Sequence, residues 1–130
     1  MNRLLIVDDA LIMRMKIRDI ARSAGWQVVA EAANGEDAVR MFQEHRPDLV
    51  TLDMVMPGMD GVAALKAIRQ LQPTANIVMV SAVNQKEKLR ECIENGAMDF
   101  VVKPFDPANL KLFFERNRQT DPSADGPAMA

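Results

Sequence analysis

A chain of 130 residues, 48% apolar and 26% charged, has the length and composition of one soluble domain. Its formal net charge of −2 gives no electrostatic reason to expect nucleic acid as a direct partner. One cysteine, Cys92, excludes an internal disulfide and fits a reducing, cytoplasmic setting, and no stretch is apolar for long enough to be a signal peptide or to span a bilayer.

Short apolar runs alternate with segments of helical spacing. Leu4–Val7 is the first run, and it ends at the carboxylates Asp8 and Asp9. Met13, Ile17, Ile20, Ala21 and Ala24 then share one helical face, with Arg14, Lys16, Arg18 and Arg22 mostly off it and Gly25 as a stop. Trp26 is expected to shield a sheet edge. The run Val28–Ala30 precedes a helix over Gly35–His45, with Ala38, Met41 and Phe42 as its apolar positions and Pro47 closing it; His45 reads as a solvated cation at that helix end. Leu49–Leu52 follows and ends at Asp53. Leu65, Ile68 and Leu71 mark a third helix that stops before Pro73, and Ile77–Val80 leads into Ser81. Leu89, Cys92, Ile93 and Gly96 mark a fourth helix, in which Cys92 is a buried small hydrophobe and Lys86, Lys88 and Arg90 form a solvated face open to a protein partner. Phe100–Val102 precedes Lys103. Asp106 then serves as cap and Pro107 as first residue of a fifth helix carrying Leu110, Phe113 and Phe114. Residues 1–118 read as one domain, and 119–130, with no periodic apolar face, as a disordered tail or linker stub.

The runs lack in/out alternation, as parallel strands covered on both faces do, so the pattern predicts an α/β fold with right-handed crossovers. The polar residues stand at strand ends: Asp8 and Asp9 after the first strand, Asp53 after the third, Ser81 after the fourth and Lys103 after the fifth. In an open parallel sheet the carboxyl ends of the strands form the ligand site, so these residues converge. Three carboxylates within a few ångströms require a proton or a cation among them. All donors are hard oxygens, which points to Mg²⁺, with Mn²⁺ able to substitute, rather than zinc. Metal, lysine and hydroxyl together suit a phosphoryl group, and a carboxylate can be its nucleophile.

At these residues the chain resembles the response-regulator receiver domains of two-component signalling. The motifs are Ile6-Val7-Asp8-Asp9, Leu52-Asp53-Met54-Val55-Met56-Pro57-Gly58-Met59-Asp60-Gly61, Val80-Ser81-Ala82 and Lys103-Pro104-Phe105, within a match from Leu4 to Phe114. The resemblance implies a doubly wound, flavodoxin-like five-stranded parallel sheet in the order 2-1-3-4-5 with helices on both faces. It implies Asp53 as phospho-acceptor and Asp8, Asp9, Asp53 and the Val55 carbonyl as the metal ligands. Met54, Ser81, Ala82 and Lys103 would bind the phosphoryl group, and Ser81 and Phe100 would be the switch pair. Phe100 lacks the hydroxyl that many chemotaxis regulators carry there. Val55 and Val83 occupy the variable positions two residues after the acceptor and after Ser81, and neither side chain can hydrogen-bond an attacking water.

By the same resemblance the chain is a switch rather than an enzyme. It takes its phosphoryl group from a sensor histidine kinase or phosphotransfer protein and turns the face around Lys86–Arg90, Phe100 and Leu110–Arg118 toward a protein target. The expected state is a monomer, with dimerisation on phosphorylation left open. Three other readings compete. A phosphohydrolase of the haloacid-dehalogenase type would carry D-x-D after the first strand, where the pair here is adjacent. A flavin phosphate would be repelled by Asp8-Asp9. A pseudo-receiver used only for docking would not need the full acidic pocket.

Overall fold

The computed structural model describes residues 2–118. Five strands, β1 (Arg3–Val7), β2 (Gln27–Ala32), β3 (Leu49–Leu52), β4 (Ile77–Ser81) and β5 (Asp99–Val102), alternate with five helices. The helices are α1 (Leu11–Ser23), α2 (Gly35–His45), α3 (Gly61–Leu71), α4 (Lys86–Glu94) and α5 (Pro107–Arg116). All strand pairings are parallel and the order is β2-β1-β3-β4-β5, as expected.

The central strands β1, β3 and β4 are buried on both faces, which is why they read as continuous apolar runs. Alternate residues feed two separate cores. Leu5, Val7, Val50, Leu52, Ile77 and Met79 pack with Phe42, Leu65, Ile68 and Cys92 under α2, α3 and α4. Leu4, Ile6, Leu49, Val78 and Val80 pack with Ile17, Ala21, Trp26, Leu110 and Phe114 under α1 and α5. Thr51 interrupts the second set. It is fully buried, and among the described residues its hydroxyl has no hydrogen-bond partner. A buried unpaired hydroxyl carries its desolvation cost with nothing in return. Thr51→Val, nearly the same shape, is therefore expected to raise stability by about 1 kcal/mol, read as a higher urea midpoint at unchanged slope.

Helix ends follow local chemistry. Asn34 Oδ1 accepts from the Asp37 amide at 2.8 Å, Asp60 Oδ1 from Ala63 at 2.9 Å and Asp106 Oδ1 from Ala108 at 2.9 Å. Each satisfies a first-turn amide that would otherwise be orphaned. Pro107 opens α5 as expected. Asp37, hydrogen-bonded first by Arg40 and then by Asn34, has its carboxyl held below the usual range.

The structure corrects several details. Trp26 does not shield a sheet edge; it is 3% exposed, sits in the α1/α5 core against Phe114 and donates its indole N–H to the Phe114 carbonyl at 2.8 Å. Its polar edge is satisfied inside, so the whole ring can be buried. Ile93 is 49% exposed, because the short helix α4 buries only Cys92 completely while Leu89 is half-buried. Gly96 falls just past α4 at φ +102, in the left-handed region. β2 and β5 each extend beyond their apolar runs, and β4 includes Ser81. The residues read as a tail, 119–130, lie outside those described. Cys92 is buried as expected, and burial pushes its thiol up, so it stays protonated at neutral pH. An aromatic disulfide reagent should leave native Cys92 unmodified for as long as the fold holds, and should react with it at once in denaturant.

Candidate functional site

Strand register decides what can meet. Val7 pairs with Leu52, Leu52 with Met79 and Met79 with Phe100, so four residues stand in one rank across the sheet. The next residue of each strand, or the one after it, projects from the carboxyl edge. These include Asp8, Asp53 and Ser81. In a parallel sheet this edge is also where the helix N-termini gather, leaving a crevice.

Within it, Asp8, Asp9 and Asp53 each offer a carboxylate oxygen, and these oxygens lie within 4.8 Å of one another. Asp8 and Asp53 are buried, at 1% and 6% exposed, while Asp9 faces solvent. Lys103 reaches in from beyond β5. Its Nζ donates to Asp8 Oδ2 at 2.6 Å and to Asp53 Oδ2 at 3.3 Å. One ammonium among three carboxylates leaves a net charge of −2 in a largely buried pocket. The donor set is all hard oxygen with an open, solvent-facing side at Asp9. This suits a small divalent cation that keeps part of its water shell, and the residues present fit Mg²⁺.

The loop after β3 is fixed by its surroundings. Met54 and Met56 are buried in the core while Val55 between them is 63% exposed. The Gly61 amide donates to the Met54 carbonyl at 2.8 Å, and Glu36 on α2 accepts from the Met59 amide at 3.2 Å. A Cβ at Gly61 would sit 2.1 Å from the Asp53 carbonyl oxygen, so this backbone approach admits only glycine. The Val55 amide donates to Asp53 Oδ1 across 3.5 Å.

Ser81 is 1% exposed and lies on the same sheet face as Met79 and Phe100; its hydroxyl accepts from the Val83 amide at 3.5 Å. Its carbonyl accepts from the Lys103 amide at 2.8 Å, which ties β4 to the lysine. Ala82, next in line, is exposed, and Phe100 is half-buried against the core beneath α4. Beside the site, α3 and α4 enclose a groove of about 580 Å³ lined by Met54, Met56, Val62, Val83 and Lys88. Asp8, Asp9, Asp53, Ser81 and Lys103 thus stand at this edge, Met54, Val55 and Ala82 lie in the loops that leave it, and Phe100 lies within β5 beneath it. Nothing in the spacing of Arg14, Glu31 or Glu36 points to this site, whereas Gly61 carries a signal as the glycine closing the Leu52–Gly61 motif.

Comparison with known proteins agrees with this geometry. Residues 4–115 match the family of the response regulator receiver domain. The chain is 54% identical over 104 residues to the chemotaxis protein CheY of Bacillus subtilis, covering 80% of this chain and 87% of that one. It is 47% identical over 109 residues to the CheY of Thermotoga maritima, covering 84% and 91%. Among solved structures, CheY in the Borrelia burgdorferi CheX–CheY–BeF3–Mg complex superposes with a TM-score of 0.83 at 33% identity, covering 89% of this chain and 90% of that one. The response regulator domain of Thermotoga maritima CheB gives 0.81 at 34% identity, covering 92% and 98%. A parallel sheet in this order, an acidic trio on its carboxyl edge and these likenesses have one explanation: the chain belongs to the response regulator receiver domain family.

Proposed function

We propose that this protein is a phospho-acceptor switch in which Asp53 takes a phosphoryl group from a phosphohistidine donor, in a chemotaxis-type pathway. The observation that carries the reading is the bridge from Lys103 to both Asp8 and Asp53, with Asp9 completing the acidic trio beside them. A carboxylate oxygen of Asp53 attacks phosphorus and forms the P–O bond. The P–N bond breaks, and its electron pair leaves on the imidazole nitrogen of the donor. Asp8 and Asp9, with Asp53 and the Val55 carbonyl, would hold Mg²⁺, which supplies charge neutralisation for the phosphoryl oxygens. Lys103 would turn from the carboxylates to a phosphoryl oxygen, and Ser81 and the backbone amides of Met54 and Ala82 would donate to the others.

The new group adds about −1.5 to −2 charges where the pocket already carries excess negative charge. Drawing Ser81 toward it frees space on the face it shares with Phe100, and that movement biases the face made by α4, β5 and α5 toward a protein target. The structural neighbour bound to CheX with beryllofluoride and magnesium, and the near full-length match to CheY relatives, support this output. Val55 and Val83 offer no side-chain donor or acceptor to a hydrolytic water, so the aspartyl-phosphate should persist well beyond a few seconds. Loss of label from purified phosphoprotein in Mg²⁺ buffer measures this directly.

Intact-mass spectrometry after incubation with acetyl phosphate tests the whole reading. A single phosphoryl adduct that requires Mg²⁺ is the expected result. A chain that gains no mass and also fails to bind beryllofluoride is a docking module instead.

A further inference from the structure

Arg14, on the exposed side of the first helix by its sequence spacing, does something specific. Its side chain is only 17% exposed. Nη1 donates to the main-chain carbonyl of Asp8 at 2.7 Å, while Nε donates to Glu31 Oε1 on β2 at 3.1 Å. Glu31 Oε2 in turn accepts from Arg18 Nη1 at 3.2 Å. A single guanidinium therefore joins helix α1, the edge strand β2 and the turn that leaves β1.

The atom it grips matters. The Asp8 carbonyl and the Asp9 amide belong to one rigid peptide plane. Fixing that carbonyl restrains the plane, and so limits how the Asp8 and Asp9 backbones can turn relative to each other. The same turn is held on its other side, where the Asp8 amide donates to the Ala32 carbonyl at 3.0 Å and Asp8 Oδ1 accepts from the Ala10 amide at 2.9 Å.

We propose that Arg14, braced by Glu31, is a positioning residue for the divalent-cation site, holding the Asp8–Asp9 turn in its binding geometry. This rests on the acidic trio being that site. Two effects of Arg14 oppose each other, which makes the proposal testable by sign. As a nearby positive charge it disfavours a cation; as a brace it favours one. Glu31 answers only part of that charge, because Arg18 shares it, but the brace acts directly on the Asp8 carbonyl, so the brace dominates. Lysine keeps the charge but cannot span both acceptors as a planar fork does.

The experiment is calorimetric titration of Mg²⁺ into the full chain and into Arg14→Lys, Arg14→Met and Glu31→Gln, with Arg3→Met as control. Arg3 also donates to main-chain carbonyls, those of His45 and Arg46, but at the opposite edge of the sheet. Both Arg14 variants should bind Mg²⁺ about 10-fold more weakly, as loss of an outer-shell partner does elsewhere. Glu31→Gln, which loosens the brace and also removes the counter-charge of Arg14 and Arg18, should weaken binding by a smaller factor, and Arg14→Lys, at constant charge, assigns the effect to geometry. Arg3→Met should lower the unfolding midpoint and leave Mg²⁺ affinity unchanged. In acetyl phosphate assays the Mg²⁺ concentration for half-maximal rate should rise in the Arg14 variants while the saturated rate holds. Tighter binding by Arg14→Met with wild-type binding by Arg14→Lys would make the effect one of charge and overturn the proposal. Unchanged affinity in all three variants would overturn it too. A wild-type chain that binds no Mg²⁺ would instead remove the site reading itself.

Discussion

Asp53→Asn is expected to abolish phosphorylation completely and yet make the metal-free protein more stable. The amide keeps the shape of the carboxylate but provides no nucleophilic oxygen, so no adduct forms at any acetyl phosphate concentration. The sign of the stability change follows from magnitudes. With an effective dielectric constant of 20, the attraction of Asp53 to Lys103 across 3.3 Å is about 5 kcal/mol. Repulsion from Asp8 and from Asp9, with oxygens no farther than 4.8 Å, is about 3.5 kcal/mol each in the same terms, the second reduced by solvent at exposed Asp9. Burying the Asp53 carboxylate costs several kcal/mol more. Lys103 also keeps its shorter bond to Asp8 in the variant. The net expectation is a gain of about 1 kcal/mol or more, seen as a higher urea midpoint without divalent cations. Added Mg²⁺ should narrow or reverse the difference, because it stabilises the wild type more. A phosphoryl adduct on the variant would move the acceptor to another residue. A variant less stable than wild type would mean that the lysine bridge outweighs the crowding of carboxylates.

Gly61→Ala should cost as much as a core truncation although it adds one methyl group. The new Cβ would lie 2.1 Å from the Asp53 carbonyl oxygen and 2.6 Å from the Met54 Cα. Both are backbone atoms, so no side chain can rotate away and the acceptor loop itself must shift. Overpacking of this kind costs about 3 kcal/mol. Asp53 is displaced in the process, so phosphorylation should slow by far more than the loss of folded protein explains. Gly58→Ala is the comparison. Its φ of +72 disfavours alanine, but the nearest atoms are the carboxylate oxygens of Glu36 at 3.1 and 3.2 Å, which can swing aside. Its cost should stay near 1 to 2 kcal/mol, roughly the penalty for the left-handed backbone. Urea unfolding and phosphorylation rates on the two variants separate these cases. Equal losses in both would refute the collision argument.

The order and identity of the elements were legible because burial on both faces writes itself into the strands as unbroken apolar runs, and the helices show one-sided spacing. The acidic trio and Lys103 were legible for a topological reason: strand ends in a parallel sheet share one edge, so position along the chain predicts position in space. What escaped was set by contacts between elements. Nothing in the spacing of Arg14 foretold a bond to the Asp8 carbonyl, since its partner Glu31 lies on another strand. Trp26, following Gly25, reads as cover for a sheet edge. Only the placement of α5 reveals the Phe114 carbonyl that accepts its N–H. Ile93 shares the helical spacing of Leu89 and Cys92, but a helix as short and shallowly seated as α4 completely buries Cys92 alone of the three.

Lys103 is 95 residues from Asp8 and 50 from Asp53, and it meets both only when β1, β3, β4 and β5 lie side by side. The site is therefore assembled only when these four strands stand in place, and β2 adds the Ala32 carbonyl and Glu31 that brace the Asp8–Asp9 turn. On the reading proposed above, a copy in which these strands have not assembled retains Asp53 but lacks Lys103 and Asp8 beside it, so phosphorylation is expected to report on completed folding.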